Sequence, residues 1–269
     1  MSRLSERLAA VRAKGEKALV CYVVAGDPSL DATADFVVAL AEAGVDAVEL
    51  GIPFSDPLAD GPTIQSAAFR SLQRGTTVPK ALGALEAIRG RTQVPVVLMT
   101  YFNPVLRYGV ERFARDAASA GADGAILTDL TPEESGEWVP AARSAGVDTV
   151  FLLAPTSTPD RVRVVADLSR GFVYCVSRTG VTGARDDVPA DVSGLVAAVR
   201  AATDTPALIG FGISRPDQVR RVGAMADGVV VGSALVSLIA AGRDVAETAV
   251  AVRDFASRLK AETLPSASV

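Results

Sequence analysis

The sequence predicts an α/β protein built as a (β/α)8 TIM barrel, with an extra helix before the first strand and another after the last. Three observations carry this expectation. Short β-branched runs alternate with longer Ala/Leu/Arg/Glu-rich amphipathic stretches, and the alternation occurs eight times. The 269 residues suit one barrel, and no Ser/Gly-rich or Pro-rich spacer divides them, so residues 1–269 read as a single domain. Eight units favour a closed barrel over an open doubly wound sheet.

The chain opens on a helical pattern with Leu4, Leu8 and Val11 on one face and Gly15 as its stop, placed to plug the lower end of the barrel. Strands are expected at roughly 18–25, 46–51, 95–101, 123–128, 147–153, 171–176, 206–210 and 226–231. Amphipathic stretches run from Leu30 to Ala43, Val110 to Ala120, Pro132 to Ala145, Pro159 to Leu168 and Pro216 to Val222. Three strands share one lead-in: Ala-Gly-Val-Asp-Ala-Val at 43–48, Ala-Gly-Ala-Asp-Gly-Ala at 120–125 and Ala-Gly-Val-Asp-Thr-Val at 145–150. In each, a helix stops at Gly and a strand starts about two residues later, the short connection of an α/β unit. Val245, Thr248, Ala249, Val252, Phe255 and Leu259 give the final helix, and the tail from Thr263 is expected to fray.

Composition excludes several function classes. The net charge of −4 is mild and interspersed, so no basic stripe offers itself to nucleic acid. No signal-peptide core and no uninterrupted apolar span appear, so a cytoplasmic protein is expected. Cys21 and Cys175 sit inside apolar strand runs and read as buried spectators. The chain has no histidine, which removes Ser-His-Asp triads, Cys-His dyads, His-bearing zinc sites and imidazole bases together. Carboxylates, Tyr or Lys must move any protons, and no metal is expected. No strand leads into a Gly-x-Gly-x-x-Gly turn, so a dinucleotide oxidoreductase is disfavoured.

Within that frame, Glu49-Leu-Gly-Ile-Pro-Phe-Ser-Asp-Pro-Leu-Ala-Asp60-Gly-Pro ends an apolar strand on one carboxylate and sets a second in the loop beyond. A carboxylate on such a strand is paired, hydrogen-bonded or raised in pKa. An outward Glu49 paired with a surface cation is the alternative. The seventh strand runs into Gly210-Phe-Gly-Ile-Ser214 and the eighth into Gly232-Ser-Ala-Leu-Val236, where backbone N–H groups and the helix opened by Ser233 suit an anion. Phosphate binding after these two strands recurs in barrel enzymes, although either motif alone is equally a tight turn. The long loop after the sixth strand, Ser177-Arg-Thr-Gly-Val-Thr-Gly183, suits a lid. There Gly183 can add an N–H to the phosphate cradle, Thr182 can reach a carboxylate, and Arg178 can screen phosphate or remain a surface charge.

The block Val48-Glu-Leu-Gly-Ile-Pro-Phe-Ser-Asp-Pro-Leu-Ala-Asp-Gly-Pro-Thr-Ile-Gln65, with the three glycine-bearing loops, resembles the tryptophan synthase alpha-subunit family over essentially the whole chain. The resemblance implies retro-aldol cleavage of indole-3-glycerol phosphate to indole and glyceraldehyde 3-phosphate, with no cofactor in this chain. It implies Glu49 as the acid–base group and Asp60 as acceptor for the indole N–H. It also implies backbone around Gly183, Gly212, Gly232 and Ser233 for phosphate, and Tyr22, Leu98, Ile126, Tyr174, Phe211 and Val231 as indole walls. Tyr22 departs from the family's usual phenylalanine, and Thr128 from a small apolar residue. The resemblance further implies a pyridoxal-phosphate-dependent beta subunit as partner in an alpha2-beta2 type complex, with Pro53 and Asp56 at the interface. Two other readings stay open: a stand-alone lyase of the same chemistry, and a catalytically silent phosphate-binding barrel that regulates a partner.

Overall fold

Apolar β-branched runs too short for helices pair side by side here, and the longer amphipathic stretches cover them. The structure, a computed structural model, describes residues 2–176, 191–210 and 212–265. Helix α1 (Arg3–Ala13) precedes β1 (Ala18–Val24), α2 (Leu30–Glu42) and β2 (Ala47–Gly51). Helices α3 (Pro62–Gln73) and α4 (Val78–Arg89) lead to β3 (Val96–Thr100), and α5 (Phe102–Tyr108) and α6 (Val110–Ala120) to β4 (Gly124–Leu127). A 3-10 turn (Pro132–Glu134) and α7 (Trp138–Ala145) precede β5 (Asp148–Val150) and β6 (Leu152–Leu153). Then come α8 (Pro159–Leu168), β7 (Val173–Val176), α9 (Asp191–Ala202), β8 (Ala207–Gly210), α10 (Pro216–Gly223), β9 (Gly228–Val231), α11 (Ser233–Ala241) and α12 (Val245–Ala261).

All paired strands are parallel, in the order β5-β4-β3-β2-β1-β9-β8-β7-β6. The two ends of that order, β5 and β6, are one strand interrupted at Phe151. Its first half pairs with β4 and its second with β7, so the predicted fifth strand closes the barrel. The predicted stretch 132–145 is likewise divided, into the 3-10 turn and α7.

Strand side chains alternate between two cores. Val20, Tyr22, Val24, Val97, Met99, Ile126, Tyr174, Leu208 and Val230 fill the barrel, and Leu4, Leu8 and Val11 of α1 close its lower end as expected. Leu19, Cys21, Val23, Leu50, Leu98, Cys175 and Val231 face outward onto the helical layer. Both cysteines are free and buried, and burial raises both thiols, Cys175 to about 12.

The repeated Asp of the strand lead-ins has a structural duty. Gly44, Gly121 and Gly146 stop their helices at left-handed φ, and the Asp two residues on caps the foot of the barrel. Asp46 accepts from the Leu19 N–H, near the start of β1, at 2.7 Å. Asp123 accepts from Val96 at 2.8 Å, and Asp227 serves Ala207 in the same way at 2.9 Å. Arg7 and Lys260 pair with Asp46, Arg3 and Arg89 with Asp123, and Arg200 with Asp227. Asp148 instead accepts from Ser2 and Ser5 of α1. This belt lies at the end opposite the loops that carry chemistry.

The expected fraying does not begin at Thr263. Its carbonyl accepts from Lys17 N–H at 2.8 Å and its hydroxyl donates to Lys260 O at 2.8 Å. Residues 266–269 lie outside the described residues. Among the described residues, no helix is long and apolar enough to cross a membrane.

Candidate active site

Glu49 stands in β2 level with Tyr22 of β1 and Val97 of β3. Parallel partners at one register share a face, and both neighbours point into the barrel, so Glu49 points inward too. Its outward alternative is therefore excluded. Glu49 is 1 % exposed, and its Oε1 is buried without a hydrogen-bond partner. Desolvation raises its pKa to about 8, so the group is mainly a neutral acid at pH 7.

Asp60 comes from the loop that follows β2, directly before Gly61, the N-cap of α3. Asp60 N–H donates to Pro57 O at 3.1 Å, and Gln65 Nε2 donates to Asp60 O at 2.8 Å, which ties the loop to its helix. Asp60 is 8 % exposed. Burial raises its pKa to about 6, against the opposing pull of a hydrogen bond from Tyr101, so at pH 7 it is mainly ionised. Two carboxyl groups are thereby held in different protonation states at one pH, the arrangement that separates an acid from a charge stabiliser.

Tyr22 and Tyr174 extend across the inner wall beside them. Each ring lies over a glycine: a Cβ at Gly51 would sit 2.2 Å from the Tyr22 Oη, and one at Gly210 would sit 2.1 Å from the Tyr174 Oη. The glycines at these strand ends are therefore demanded by packing. Tyr22, Ile52, Pro53, Phe54, Asp60, Met99, Tyr101 and Thr128 line a cavity of about 10 Å³. That is room for one water rather than an aromatic ligand.

Two of the expected indole walls face the wrong way. Leu98 and Val231 are buried in the outer core, because Leu98 is level with Leu50 and Ala125, and Val231 with Cys21. Their neighbours Met99 and Val230 face the barrel interior instead. A shift of one residue along a strand exchanges its faces. Ile126, Tyr22 and Tyr174 do lie in the inner core. Phe211, Arg178, Thr182 and Gly183 lie outside the described residues.

Opposite faces give opposite consequences. Leu98→Ala is expected to destabilise the fold by about 2–5 kcal/mol with an unchanged KM. Met99→Ala is expected to raise KM for a substrate held in the barrel mouth, with a smaller loss of stability. Denaturant titration with steady-state kinetics separates the two.

The loops after β8 and β9 are neighbours because these strands pair. Gly212 takes φ +83°, where side chains are disfavoured, and nothing lies within 4 Å of its absent Cβ. Gly232 is the N-cap of α11, and Ser233 opens that helix with its N–H groups aimed at the mouth. Pro53 is buried against the cavity, so it offers no outward surface, whereas Asp56 is exposed on the same loop and Leu58 is 87 % exposed. Among the described residues, no group of three or more His, Cys, Asp or Glu is placed to hold a metal ion.

Sequence reasoning missed Tyr101, Met99 and Phe54. Tyr101 ends the predicted third strand at the barrel mouth, and that strand-end position is the one sequence signal that points to it.

Comparison with known proteins agrees with this geometry. The family profile described as tryptophan synthase alpha chain matches residues 8–264. The tryptophan synthase alpha chain of Geobacter sulfurreducens is 53 % identical over 260 residues, covering 94 % of this chain and 98 % of that protein. That of Solibacter usitatus is 48 % identical over 260 residues, 97 % of each. Among solved structures, Mycobacterium tuberculosis tryptophan synthase in space group F222 superposes with a TM-score of 0.90 at 41 % identity, covering 98 % of this chain and 99 % of that one. The alpha subunit from Legionella pneumophila superposes with a TM-score of 0.87 at 32 % identity, over 98 % of each chain. With its barrel closed, two buried carboxyl groups at the mouth and relatives of this similarity along its full length, the chain belongs to the tryptophan synthase alpha chain family.

Proposed function

We propose that the chain performs its family's reaction, retro-aldol cleavage of indole-3-glycerol phosphate to indole and glyceraldehyde 3-phosphate, with Glu49 and Asp60 in separate roles. Family membership makes it a lyase of tryptophan biosynthesis. The observation that carries the assignment of roles is the pair of buried carboxyl groups with pKa values near 8 and 6.

The carbon–carbon bond breaks only after indole C3 gains a proton, which turns the ring into an electron sink. Glu49, neutral at pH 7, donates that proton. As carboxylate it then accepts the proton of the glycerol hydroxyl whose oxygen becomes the aldehyde, so the group returns to its starting state. Asp60, ionised, accepts a hydrogen bond from the indole N–H and stabilises the positive charge that develops there. Tyr22, Met99, Ile126, Tyr174 and Val230 supply apolar walls for a flat ring. Backbone N–H groups at Gly212, Gly232 and Ser233 hold phosphate, joined by Gly183. The reaction is redox-neutral and Glu49 performs both proton transfers, so the reading asks for no cofactor in this chain.

The whole chain acts as one domain in the cytoplasm, and the indole passes to a beta subunit that carries pyridoxal phosphate. Exposed Asp56 and Leu58 sit on the loop that also carries Asp60, which supports that loop as the place where a partner is felt. The unpartnered Glu49 oxygen favours a catalytic barrel over a silent one, since a purely regulatory barrel has no need of a costly neutral acid.

Indole release from indole-3-glycerol phosphate tests the reading. Activity is expected to be slow for the isolated chain and faster with a beta subunit, and kcat/KM should follow a bell with limbs near pH 6 and 8. No indole with partner present sinks the lyase reading, and equal rates with and without partner sink the coupling. A profile lacking the acid limb removes Asp60 from its role.

A further inference from the structure

Two neighbouring segments, the loop after β2 and the end of β4, meet Tyr101 beside Asp60. Tyr101 follows β3 as the N-cap of α5, is buried, and packs its ring 5.3 Å from Phe54. Its hydroxyl accepts from the Ala59 N–H, one residue before Asp60, at 3.0 Å. Asp60 and Thr128 line the same cavity as Tyr101, and a hydrogen bond from Tyr101 opposes the effect of burial on the Asp60 carboxyl. A tyrosine hydroxyl has one proton and two lone pairs. With the Ala59 N–H on one lone pair, the Tyr101 proton remains for Asp60. The Thr128 hydroxyl donates to the Thr100 carbonyl at 3.2 Å.

We infer that Tyr101 is a positioning residue for Asp60: its hydroxyl anchors the loop through Ala59 and donates to the Asp60 carboxylate, and Thr128 orients that hydroxyl. The inference rests on the proposed role of Asp60 as the ionised partner of the indole N–H. It adds a residue that keeps Asp60 ionised and in place before substrate arrives, so that less reorganisation is left for the reaction itself.

Among the described residues, the other ionisable groups facing Asp60 bring no opposing charge. Tyr22 from β1 and Tyr174 from β7 have pKa values raised by burial and stay neutral, and Glu49 from β2 is mainly neutral at pH 7. Tyr101 is thus the donor that offsets burial at Asp60. Without its hydroxyl, the carboxylate takes up a proton at higher pH and activity fails first on the acid side.

The experiment compares kcat and kcat/KM from pH 5.5 to 8.5 for the wild type, Tyr101→Phe, Thr128→Val and Asp60→Asn, with thermal midpoints for each. Tyr101→Phe is expected to lose about tenfold at pH 6 and much less at pH 8, the size expected of one hydrogen bond to a charged group. Thr128→Val should move the acid limb in the same direction by less. A loss for Tyr101→Phe that is equal at every pH, or no loss, overturns the inference, because packing alone does not shift a titration. If Tyr101→Phe fails to fold, Thr128→Val decides, and an unmoved acid limb overturns it. An Asp60→Asn chain that keeps the wild-type rate and acid limb refutes the role of Asp60 itself, an outcome distinct from failure at Tyr101.

Discussion

Replacing Glu49 by Gln is expected to remove activity and, in the same molecule, to reverse a pH-dependent loss of stability. The catalytic loss follows from chemistry: without a transferable proton, the general acid–base contribution of about 10²–10⁴ disappears. The stability effect follows from linkage. In the unfolded chain Glu49 titrates at its ordinary value of 4.5, and in the fold at about 8. Between these values the folded state binds the extra proton, so stability falls as pH rises through that window and levels off above it. The lost stability at pH 8 is on the order of 4 kcal/mol. Gln does not titrate, so the difference in melting temperature between variant and wild type should be smallest near pH 4 and grow toward pH 8 in favour of the variant. A difference independent of pH would mean that Glu49 is not desolvated and that its assignment as a neutral acid is wrong.

Asp46→Ala is expected to have the largest effect on stability, about 3–5 kcal/mol, with the catalytic residues untouched. The carboxylate is 0 % exposed and satisfies the Leu19 N–H of β1 while pairing with Arg7 of α1 and Lys260 of α12. Alanine leaves that buried N–H unsatisfied and removes one tie each from α1 and α12 to the barrel floor. Asp46→Asn keeps an acceptor for Leu19 and loses only charge, so it should lie between alanine and wild type. Denaturant titration gives the order; a loss below about 1 kcal/mol for alanine would show that water replaces the carboxylate easily.

The strands were legible because each is a short β-branched run between glycine-stopped helices, and the lead-in repeat located the Asp belt before its purpose was visible. Which face each side chain takes was less legible. Val96-Val-Leu-Met-Thr100 is apolar throughout, as expected for a strand buried on both faces, so its pattern carries no parity. The resemblance placed indole walls at Leu98 and Val231, whose side chains belong to the outer core, while their neighbours Met99 and Val230 face the barrel interior. Glu49 was legible because a carboxylate breaks an apolar run. Tyr101 was not, because an aromatic at a strand end resembles ordinary core until the loop carrying Ala59 and Asp60 folds back onto its hydroxyl. The interruption at Phe151 was equally hidden, since it arises from a change of pairing partner from β4 to β7, which local sequence does not encode.

The absence of histidine, first met as a limit on mechanism, also makes this chain unusually easy to observe. Imidazole normally dominates side-chain protonation between pH 6 and 8. Glu49 and Asp60 are raised into that interval, while both cysteines are driven above it. A carboxyl infrared band or a side-chain carbon resonance followed across this interval can therefore report the acid and the charge stabiliser directly, with no imidazole signal to subtract.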